Sequence, residues 1–125
     1  MGSTDPQDLG RAAEDLAARM LEDRGLRILG RNLRTGSGEI DILALDGITL
    51  AVVEVRLRAA HHAAAWRSVG RDKRRALAAC LRDIARRSGL RPGIPVRMDL
   101  VLVDGQAQLR WVKGAFAPTT PWLIR

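Results

Sequence analysis

The chain has one cysteine, Cys80, and two histidines, so an intrachain disulfide is excluded and no Cys/His spacing of the zinc-site type is present. No apolar run approaches the roughly 18 residues that a membrane-spanning helix requires. The first residues, MGSTDPQDLG, lack the charged-then-apolar pattern of a signal peptide. We therefore expect a cytoplasmic protein in a reducing compartment, without a membrane partner.

Lysine is also scarce, because 19 of the 21 basic residues are arginine. Residues 56–97 contain twelve basic side chains and two acidic ones, a net charge of +10, so the rest of the chain sums to −3. A basic middle section beside an acidic N-terminal third is typical of a protein that holds a polyanion while carboxylates act on it, and DNA is the expected partner. Alternatively, a coding bias explains why these residues are arginine, although it explains their clustering less well.

The length of 125 residues and the 46% hydrophobic content suit a single domain with its own core. Periodicity and end signals predict one helix from Thr4-Asp5-Pro6 to Gly25 and another from Ser68 to Ser88, ended by Gly89. Strands are predicted over residues 26–31, 39–45, 48–56, 96–103 and 106–112. This order favours an α/β fold with one mixed sheet between two helices. We place the domain at residues 1–113 and expect residues 114–125 to form an irregular tail.

The second predicted helix carries an apolar stripe and a basic stripe. The residues expected to pack on the sheet are Val69, Ala76, Leu77, Cys80, Leu81 and Ile84. Those expected to face outward are Arg71, Arg75, Arg82 and Arg86. On this interpretation Cys80 is an inert buried thiol. The residues predicted to bind nucleic acid are Arg58, Arg67, Arg71, Lys73, Arg74, Arg75 and Arg82.

Asp46-Gly47 lies between two apolar, β-branched runs, which is among the strongest short-range signals for a hairpin. With these two residues as the loop, Leu45 pairs with Ile48, Asp41 lies opposite Val52 and Glu39 lies opposite Glu54. Side chains alternate along a strand. One face therefore carries Glu39, Asp41, Leu43, Leu45, Leu50, Val52, Glu54 and Arg56, and the other carries Ile40, Ile42, Ala51, Val53 and Val55. A four-residue loop preserves this arrangement, whereas a three-residue loop sends Glu54 to the face opposite Asp41.

Three carboxylates and one guanidinium group therefore gather at one end of one face of the predicted hairpin. Diagonal neighbours such as Asp41 and Glu54 lie roughly 7 to 8 Å apart, so their charges repel unless a cation intervenes. Oxygen ligands without His or Cys favour Mg²⁺ or Mn²⁺, which can activate a water to attack a phosphodiester. The alternative is an ion network in which Arg56 and neighbouring arginines neutralise the carboxylates.

The segment Gly38-Glu39-Ile40-Asp41, followed by Val53-Glu54-Val55-Arg56-Leu57-Arg58, resembles the YraN-like family, whose members carry GEID and then VEVKxR. Glu14, Gly25, Asn32-Leu33-Arg34, Lys73 to Leu81 and Asp99 extend the resemblance over about residues 9–103. That family is similar to the PD-(D/E)xK nuclease superfamily and, within it, to Holliday-junction resolvases. The resemblance implies a restriction-endonuclease-like αβββαβ core and a DNA endonuclease that acts on branched or damaged DNA.

Carried over by position, the resemblance also implies roles for individual residues. Asp41 and Glu54 would be metal ligands, with the main-chain carbonyl of Val55 as a third. Glu14 would be a helix-borne carboxylate that helps through water, and Glu39 would support the site. For Glu14 the alternative is an ordinary solvated helix glutamate.

Arg56 departs from the family pattern, which has a lysine at this position. A lysine can orient or deprotonate the attacking water, whereas an arginine remains protonated and can only stabilise charge. Lys73 could substitute from the second helix, or it could be a solvated helix lysine. Three functions stay open: a metal-dependent endonuclease, a DNA-binding module that has kept the fold and lost turnover, and a non-catalytic interaction protein.

Two aromatic features allow more than one interpretation. Trp66, beside Arg67, could stack on a base or sugar, or pack the second helix onto the sheet. Trp122, Leu123 and Ile124 could pack back on the domain or form the contact of a homodimer. The sequence does not decide between these arrangements.

Overall fold

The computed structural model describes residues 5–57, 70–89 and 93–116. The elements are α1 (Pro6–Asp23), β1 (Arg27–Thr35), β2 (Gly38–Asp46), β3 (Thr49–Leu57), α2 (Arg71–Ser88), β4 (Val96–Val103) and β5 (Leu109–Phe116). Their order is the predicted one. The strands form one five-stranded sheet in chain order, in which β3 and β4 are parallel and the other neighbours are antiparallel. The fold is therefore α/β with a mixed sheet, consistent with a restriction-endonuclease-like core.

The two helices cover opposite faces of this sheet, as predicted. On one face Leu77, Cys80 and Leu81 of α2 pack in a core that includes Leu43 and Val52. On the other face α1 packs in a second core through Ala13, Ala17, Ala18 and Leu21, against strand residues that include Ile42 and Val53. Burial of apolar side chains on both faces supplies the main stabilising contribution.

The ends of both helices follow from local chemistry. The Asp5 carboxylate accepts a hydrogen bond from the Gln7 amide (2.9 Å), and Pro6 occupies the first turn of α1, where its missing N–H costs nothing. The helix α2 ends at Gly89, which adopts the left-handed conformation. Ser68 and Val69, which were predicted to begin α2 and to contribute to its apolar stripe, lie outside the described residues.

The loop of the β2–β3 hairpin differs from the prediction by its position. Asp46 pairs with Thr49 and Leu45 with Leu50, so the two loop residues are Gly47 and Ile48, and the predicted Leu45–Ile48 register is wrong. Of the two residues predicted to form the loop, only Gly47 has a positive φ (63°). A glycine at the first loop position is typical of a type II′ turn, whereas the predicted loop would place Asp46 there. The loop is displaced by one residue and the pairing register by two, so the side chains within the paired ladder keep their predicted faces, with Leu43 and Val52 on one side of the sheet and Ile42 and Val53 on the other.

Two other strand boundaries differ from the prediction. The strand β1 continues to Thr35 rather than ending at Arg31, because Leu33 and Thr35 pair with Ile40 and Gly38 of β2. The strand β5 begins at Leu109 rather than at Gln106 and runs to Phe116, so residues 114–116 are strand rather than irregular tail. The late start has a local cause, since the Asp104 carboxylate accepts hydrogen bonds from the amides of residues 106 and 108 (2.8 and 2.9 Å) and holds a longer loop.

Neither helix in the described part of the chain combines the length and the apolar content that crossing a membrane demands.

Candidate functional site

The candidate site lies where regular pairing of β2 with β3 ends. The β2–β3 ladder runs from the Asp46–Thr49 pair to the Ile42–Val53 pair. Beyond it, the amide of Val55 donates a hydrogen bond to Asp41 Oδ2 (2.8 Å). A side-chain carboxylate therefore accepts the hydrogen bond of a strand amide here, which fixes Asp41 at the edge of β3.

The alternation of side chains along β2 breaks at this point. Ile40 belongs to the core on the α2 face together with Leu43, whereas Ile42 belongs to the core on the α1 face. The prediction that Ile40 shares a face with Ile42 is therefore wrong. The irregularity is shared with β1, because Asn32, between the Arg31–Ile42 and Leu33–Ile40 pairs, has a positive φ of 51°. At the same point the Val55 amide donates to the Asp41 carboxylate.

Glu54 is buried at 6% exposure on the neighbouring strand. Its Oε1 atom lies 3.5 Å from Lys73 Nζ of α2 and 3.8 Å from Arg56 Nε. Its Oε2 atom is buried and has no hydrogen-bond partner among the described residues. One oxygen thus takes part in the ion network that the sequence offered as an alternative, while the other has no partner among residues 5–57, 70–89 and 93–116.

Asp41 and Glu54 influence each other directly. Burial and the charge of Asp41 raise the pKa of Glu54 to about 7, although Lys73 and Arg56 oppose this shift. Burial also raises the pKa of Asp41, against the opposing effects of the Val55 hydrogen bond, of Lys73 and of a side-chain hydrogen bond with Glu54. The partly buried Asp41 and the buried Glu54 repel each other when both are ionised, even with Lys73 and Arg56 beside Glu54, so the pair favours binding a proton or a further cation near neutral pH.

Glu14 approaches the pair from α1, and its side chain is only 17% exposed. Burial and the charge of Asp41 raise the pKa of Glu14, while a hydrogen bond with Asn32 and the charge of Arg31 lower it. Its Oε1 atom is buried and makes no hydrogen bond within the described part of the chain. Glu14 is therefore not the freely solvated helix glutamate of the alternative interpretation.

Glu39 lies at the rim rather than in the pair. Its side chain is 33% exposed and contacts Arg34 at 3.4 Å. Within the ranges 5–57, 70–89 and 93–116, no group of three or more His, Cys, Asp or Glu side chains is arranged to hold a metal ion. The predicted gathering of three carboxylates is thus reduced to Asp41 and Glu54.

This pair still suits a divalent cation of the magnesium type. Mg²⁺ is usually held by one or two carboxylates and keeps several waters, so it does not need a cage of protein ligands. The unpartnered Oε2 of Glu54 and the raised pKa values of both carboxylates are what such a cation would compensate. The residues present therefore fit a cation held by Asp41 and Glu54.

The residues predicted to bind nucleic acid are placed unevenly. Lys73 turns toward Glu54, Arg75 is exposed, and Arg74 and Arg82 are partly buried on α2. Arg71 is the first residue of α2. Arg58 and Arg67 lie outside the described residues, as do His61, His62, Trp66, Trp122, Leu123 and Ile124. Of the arginines predicted to face outward, Arg75 and Arg86 are exposed and Arg82 is partly buried.

Two polar residues near these elements have a larger structural role than the sequence predicted. Asp99 is fully buried and accepts hydrogen bonds from Arg97 (2.8 and 2.9 Å), Trp111 Nε1 (3.1 Å) and the Gly114 amide (2.9 Å). The signal was available, since an aspartate interrupts the apolar run of β4 two residues after an arginine. Asn32 has a positive φ of 51° and contacts Glu14 through its side chain. No single-sequence signal marks that conformation.

The fold and the site define a class: an α/β domain with a restriction-endonuclease-like core that presents a partly buried and a buried carboxylate, Asp41 and Glu54, on adjacent strands. The model of the uncharacterised protein family UPF0102 matches residues 13–103, and the chain belongs to that family.

Relatives of the chain carry the same family name. The chain is 42% identical to a UPF0102 protein of Dechloromonas aromatica over 109 residues, covering 86% of this chain and 88% of the relative. It is 46% identical to the UPF0102 protein Bpet0439 of Bordetella petrii over 118 residues, covering 88% and 70%. It is 40% identical to a UPF0102 protein of Solibacter usitatus over 116 residues, covering 89% and 87%. These similarities establish the family, so the activity has to be argued from the site.

Proposed function

We propose that this protein is a divalent-metal-dependent DNA endonuclease whose reaction takes place at Asp41 and Glu54. The observation that carries the proposal is the pair of Asp41, partly buried, and Glu54, buried, with Glu54 Oε2 left without a hydrogen-bond partner in the described residues. A purely structural ion network would be expected to satisfy both oxygens of a buried carboxylate. The resemblance to resolvase-like nucleases favours branched or damaged DNA as the substrate.

Asp41 and Glu54, with the main-chain carbonyl of Val55, would hold Mg²⁺ or Mn²⁺. When bound, the cation would supply a hydroxide-like water and stabilise charge on the phosphate. Asp41 is oriented for this role by its hydrogen bond from the Val55 amide. Lys73 and Arg56, at 3.5 and 3.8 Å from Glu54 Oε1, hold that carboxylate in place and add positive charge beside the scissile phosphate.

Arg56 is the reason to consider a second function. Because a guanidinium group remains protonated, Arg56 can stabilise negative charge but cannot accept a proton from water. A module that binds DNA through the same fold and has lost turnover would have this substitution. Lys73 favours activity over this alternative, since it places an ammonium group closer to Glu54 than Arg56 does.

The test compares cleavage of branched, flapped and linear DNA by the native protein, Asp41→Asn, Lys73→Met and Arg56→Lys, each with Mg²⁺ or Mn²⁺. Asp72→Asn, an exposed position in the first turn of α2, is the control. We expect cleavage by the native protein, loss of at least about a hundredfold in Asp41→Asn and Lys73→Met, and no change in the control.

Cleavage that survives Asp41→Asn would overturn the site assignment. If the native protein binds DNA without cutting it while Arg56→Lys cuts it in an Asp41-dependent manner, the protein is the binding module. Absence of salt-dependent DNA binding would instead favour a non-catalytic interaction protein.

A further inference from the structure

A polar pocket of about 480 Å³ opens beside the candidate site, between α1 and the strands β1 and β2. Its volume lies within the range of about 300 to 1,000 Å³ that is usual for small-molecule sites. The side chains on its walls are Gln7, Arg11, Glu14, Asn32, Arg34 and Glu39. None of the functional roles above requires a cavity at this place.

The charges on the walls favour a neutral, hydrogen-bonding occupant. Two arginines face two glutamates, Arg34 contacts Glu39 at 3.4 Å, and Arg11 contacts Asp8 at 3.4 Å. A phosphate would meet the carboxylates of Glu14 and Glu39 as well as these engaged guanidinium groups. The walls offer the carboxamides of Gln7 and Asn32, guanidinium donors and carboxylate acceptors, which are the groups that pair with the edges of nucleobases.

Asn32 gives this pocket a built feature. A positive φ of 51° is uncommon for a residue with a side chain, and such conformations persist where the surroundings require them, often at functional sites. The Asn32 side chain hydrogen-bonds to Glu14. The unusual backbone thus brings an amide and a carboxylate together on one wall of the pocket.

The pocket is also connected to the proposed reaction centre. Glu14 and Glu39 line the pocket. The charge of Asp41 raises the pKa of Glu14, and the charge of Glu39 raises the pKa of Asp41, so both lie within electrostatic range of Asp41. A group bound in the pocket therefore lies next to the position of the phosphodiester on which Asp41 and Glu54 would act. In a nucleic acid, each phosphate links two sugars, and the bases on those sugars are the nearest bases to it.

We propose that this pocket receives an unpaired nucleobase of the bound nucleic acid. This inference rests on the proposed function, because it assigns the substrate class of the same site. A base in a continuous duplex has its pairing edge occupied and is stacked, so it could enter only after extrusion, which costs free energy. The pocket would therefore favour substrates that already contain an unpaired base.

Gly10 makes a clean test possible. It lines the pocket from α1, and a Cβ atom added there would meet nothing within 4 Å. A methionine at this position would extend into the pocket without a clash at Cβ, and both alanine and methionine are better helix formers than glycine. Gly10→Met therefore fills the pocket, and Gly10→Ala is the matched control.

The first measurement is fluorescence anisotropy in EDTA, with a duplex that carries a three-nucleotide flap and a continuous duplex of equal length. We expect the native protein and Gly10→Ala to bind the flapped DNA about tenfold more tightly. Gly10→Met should bind both DNAs within about twofold of the native affinity for continuous duplex. A preference that survives in Gly10→Met, a native protein without preference, or an equal loss for both DNAs overturns the inference.

The second measurement separates this inference from the proposed nuclease. Deoxyadenosine and deoxycytidine are titrated into the native protein and Gly10→Met, and the side-chain amide signals of Gln7 and Asn32 are followed by NMR. Shifts in the native protein that are lost in Gly10→Met support the pocket even if no DNA is ever cleaved. Asp41-dependent cleavage without such shifts overturns the pocket while leaving the nuclease intact.

Discussion

At the residue scale, Glu54 holds a carboxylate in a buried position beside a second carboxylate. The folded, metal-free protein binds the Glu54 proton more tightly than the unfolded chain, because the pKa rises from its ordinary value of 4.5 to about 7 on folding. The free energy of unfolding therefore falls as the pH rises from about 4.5 through about 7, and this loss is complete above pH 7. It amounts to about 3 kcal/mol.

We expect Glu54→Gln to remove most of this pH dependence and to unfold with a free energy about 1 to 3 kcal/mol above native at pH 8 in EDTA. Urea unfolding between pH 5 and pH 8 measures it. Glu22→Gln, at an exposed position of α1, is the control and should follow the native curve. If the free energy of unfolding changes with pH equally in the native protein and in Glu54→Gln, Glu54 does not titrate in the folded state as described.

Asp99 is the second residue for which burial decides the outcome. Four hydrogen bonds converge on a carboxylate with 0% exposure, and one donor, Arg97, also contacts the more exposed Asp46 at 3.0 Å. Asp99→Asn leaves Arg97 without its buried counter-charge and turns an NH₂ group toward N–H donors. We expect a loss of about 3 kcal/mol in the free energy of unfolding.

The matched variant is Asp46→Asn, which removes the other carboxylate that contacts Arg97. This pair is solvated, so the loss should stay within about 1 kcal/mol. Urea unfolding at pH 7 compares the two variants. Similar losses in both would mean that the buried network is no more important than the surface pair.

At the scale of elements, the position of α2 against β2 depends on Gly38. A Cβ atom at Gly38 would lie 3.3 Å from the carbonyl oxygen and 3.4 Å from the Cβ atom of Ala76. The Cys80 thiol donates to the Gly38 carbonyl (3.4 Å) at the same crossing. Because Lys73 reaches Glu54 from α2, this close approach also places an ammonium group at the candidate site.

We expect Gly38→Ala to lower the free energy of unfolding by about 1 to 3 kcal/mol, since the added methyl group overpacks the crossing. Gly36→Ala, two residues earlier, adds a Cβ atom with nothing within 4 Å and should change it by less than about 0.5 kcal/mol. Urea unfolding of both variants tests this. A Gly36→Ala loss as large as that of Gly38→Ala would remove the packing explanation.

Elements also show what could be predicted from the sequence. The faces of the paired residues of β2 and β3 were predictable, because a two-residue shift in register preserves their parity. Parity alone did not place Asp41 beside Glu54, since the alternation breaks between Ile40 and Ile42. The register was not predictable, since Asp-Gly and Gly-Ile are both acceptable loops in local chemistry. The break at Ile40 accompanies the positive φ of Asn32 on the paired strand, which periodicity does not represent.

Tertiary pairing explains the other differences. The polar segment Asn32-Leu33-Arg34 reads as loop, yet Leu33 pairs with Ile40 and Arg34 with Glu39 in the extended β1. The contact of Glu14 with the site also depends on how α1 crosses the sheet. The two-faced core was predictable, because the apolar stripes of both helices and the continuous apolar strands leave few other ways to pack.

At the scale of the whole molecule, positive charge is concentrated in residues 56–97, which carry a net charge of +10 and include α2, and this asymmetry predicts how DNA affinity depends on salt. Under the proposed function, the logarithm of the binding constant should fall linearly with the logarithm of salt concentration, with a slope of about −0.9 per phosphate contact. Because Arg75 and Arg82 belong to the basic stripe of α2, replacing both with glutamine should make the slope shallower by about 1 to 2. Arg19→Gln, at an exposed position of α1, removes one charge from the opposite face of the sheet and should leave the slope unchanged. The slopes are measured by anisotropy titrations with continuous duplex between about 50 and 300 mM salt, where counterion release dominates. An equal change of slope in Arg19→Gln and in the α2 variant would contradict the proposal.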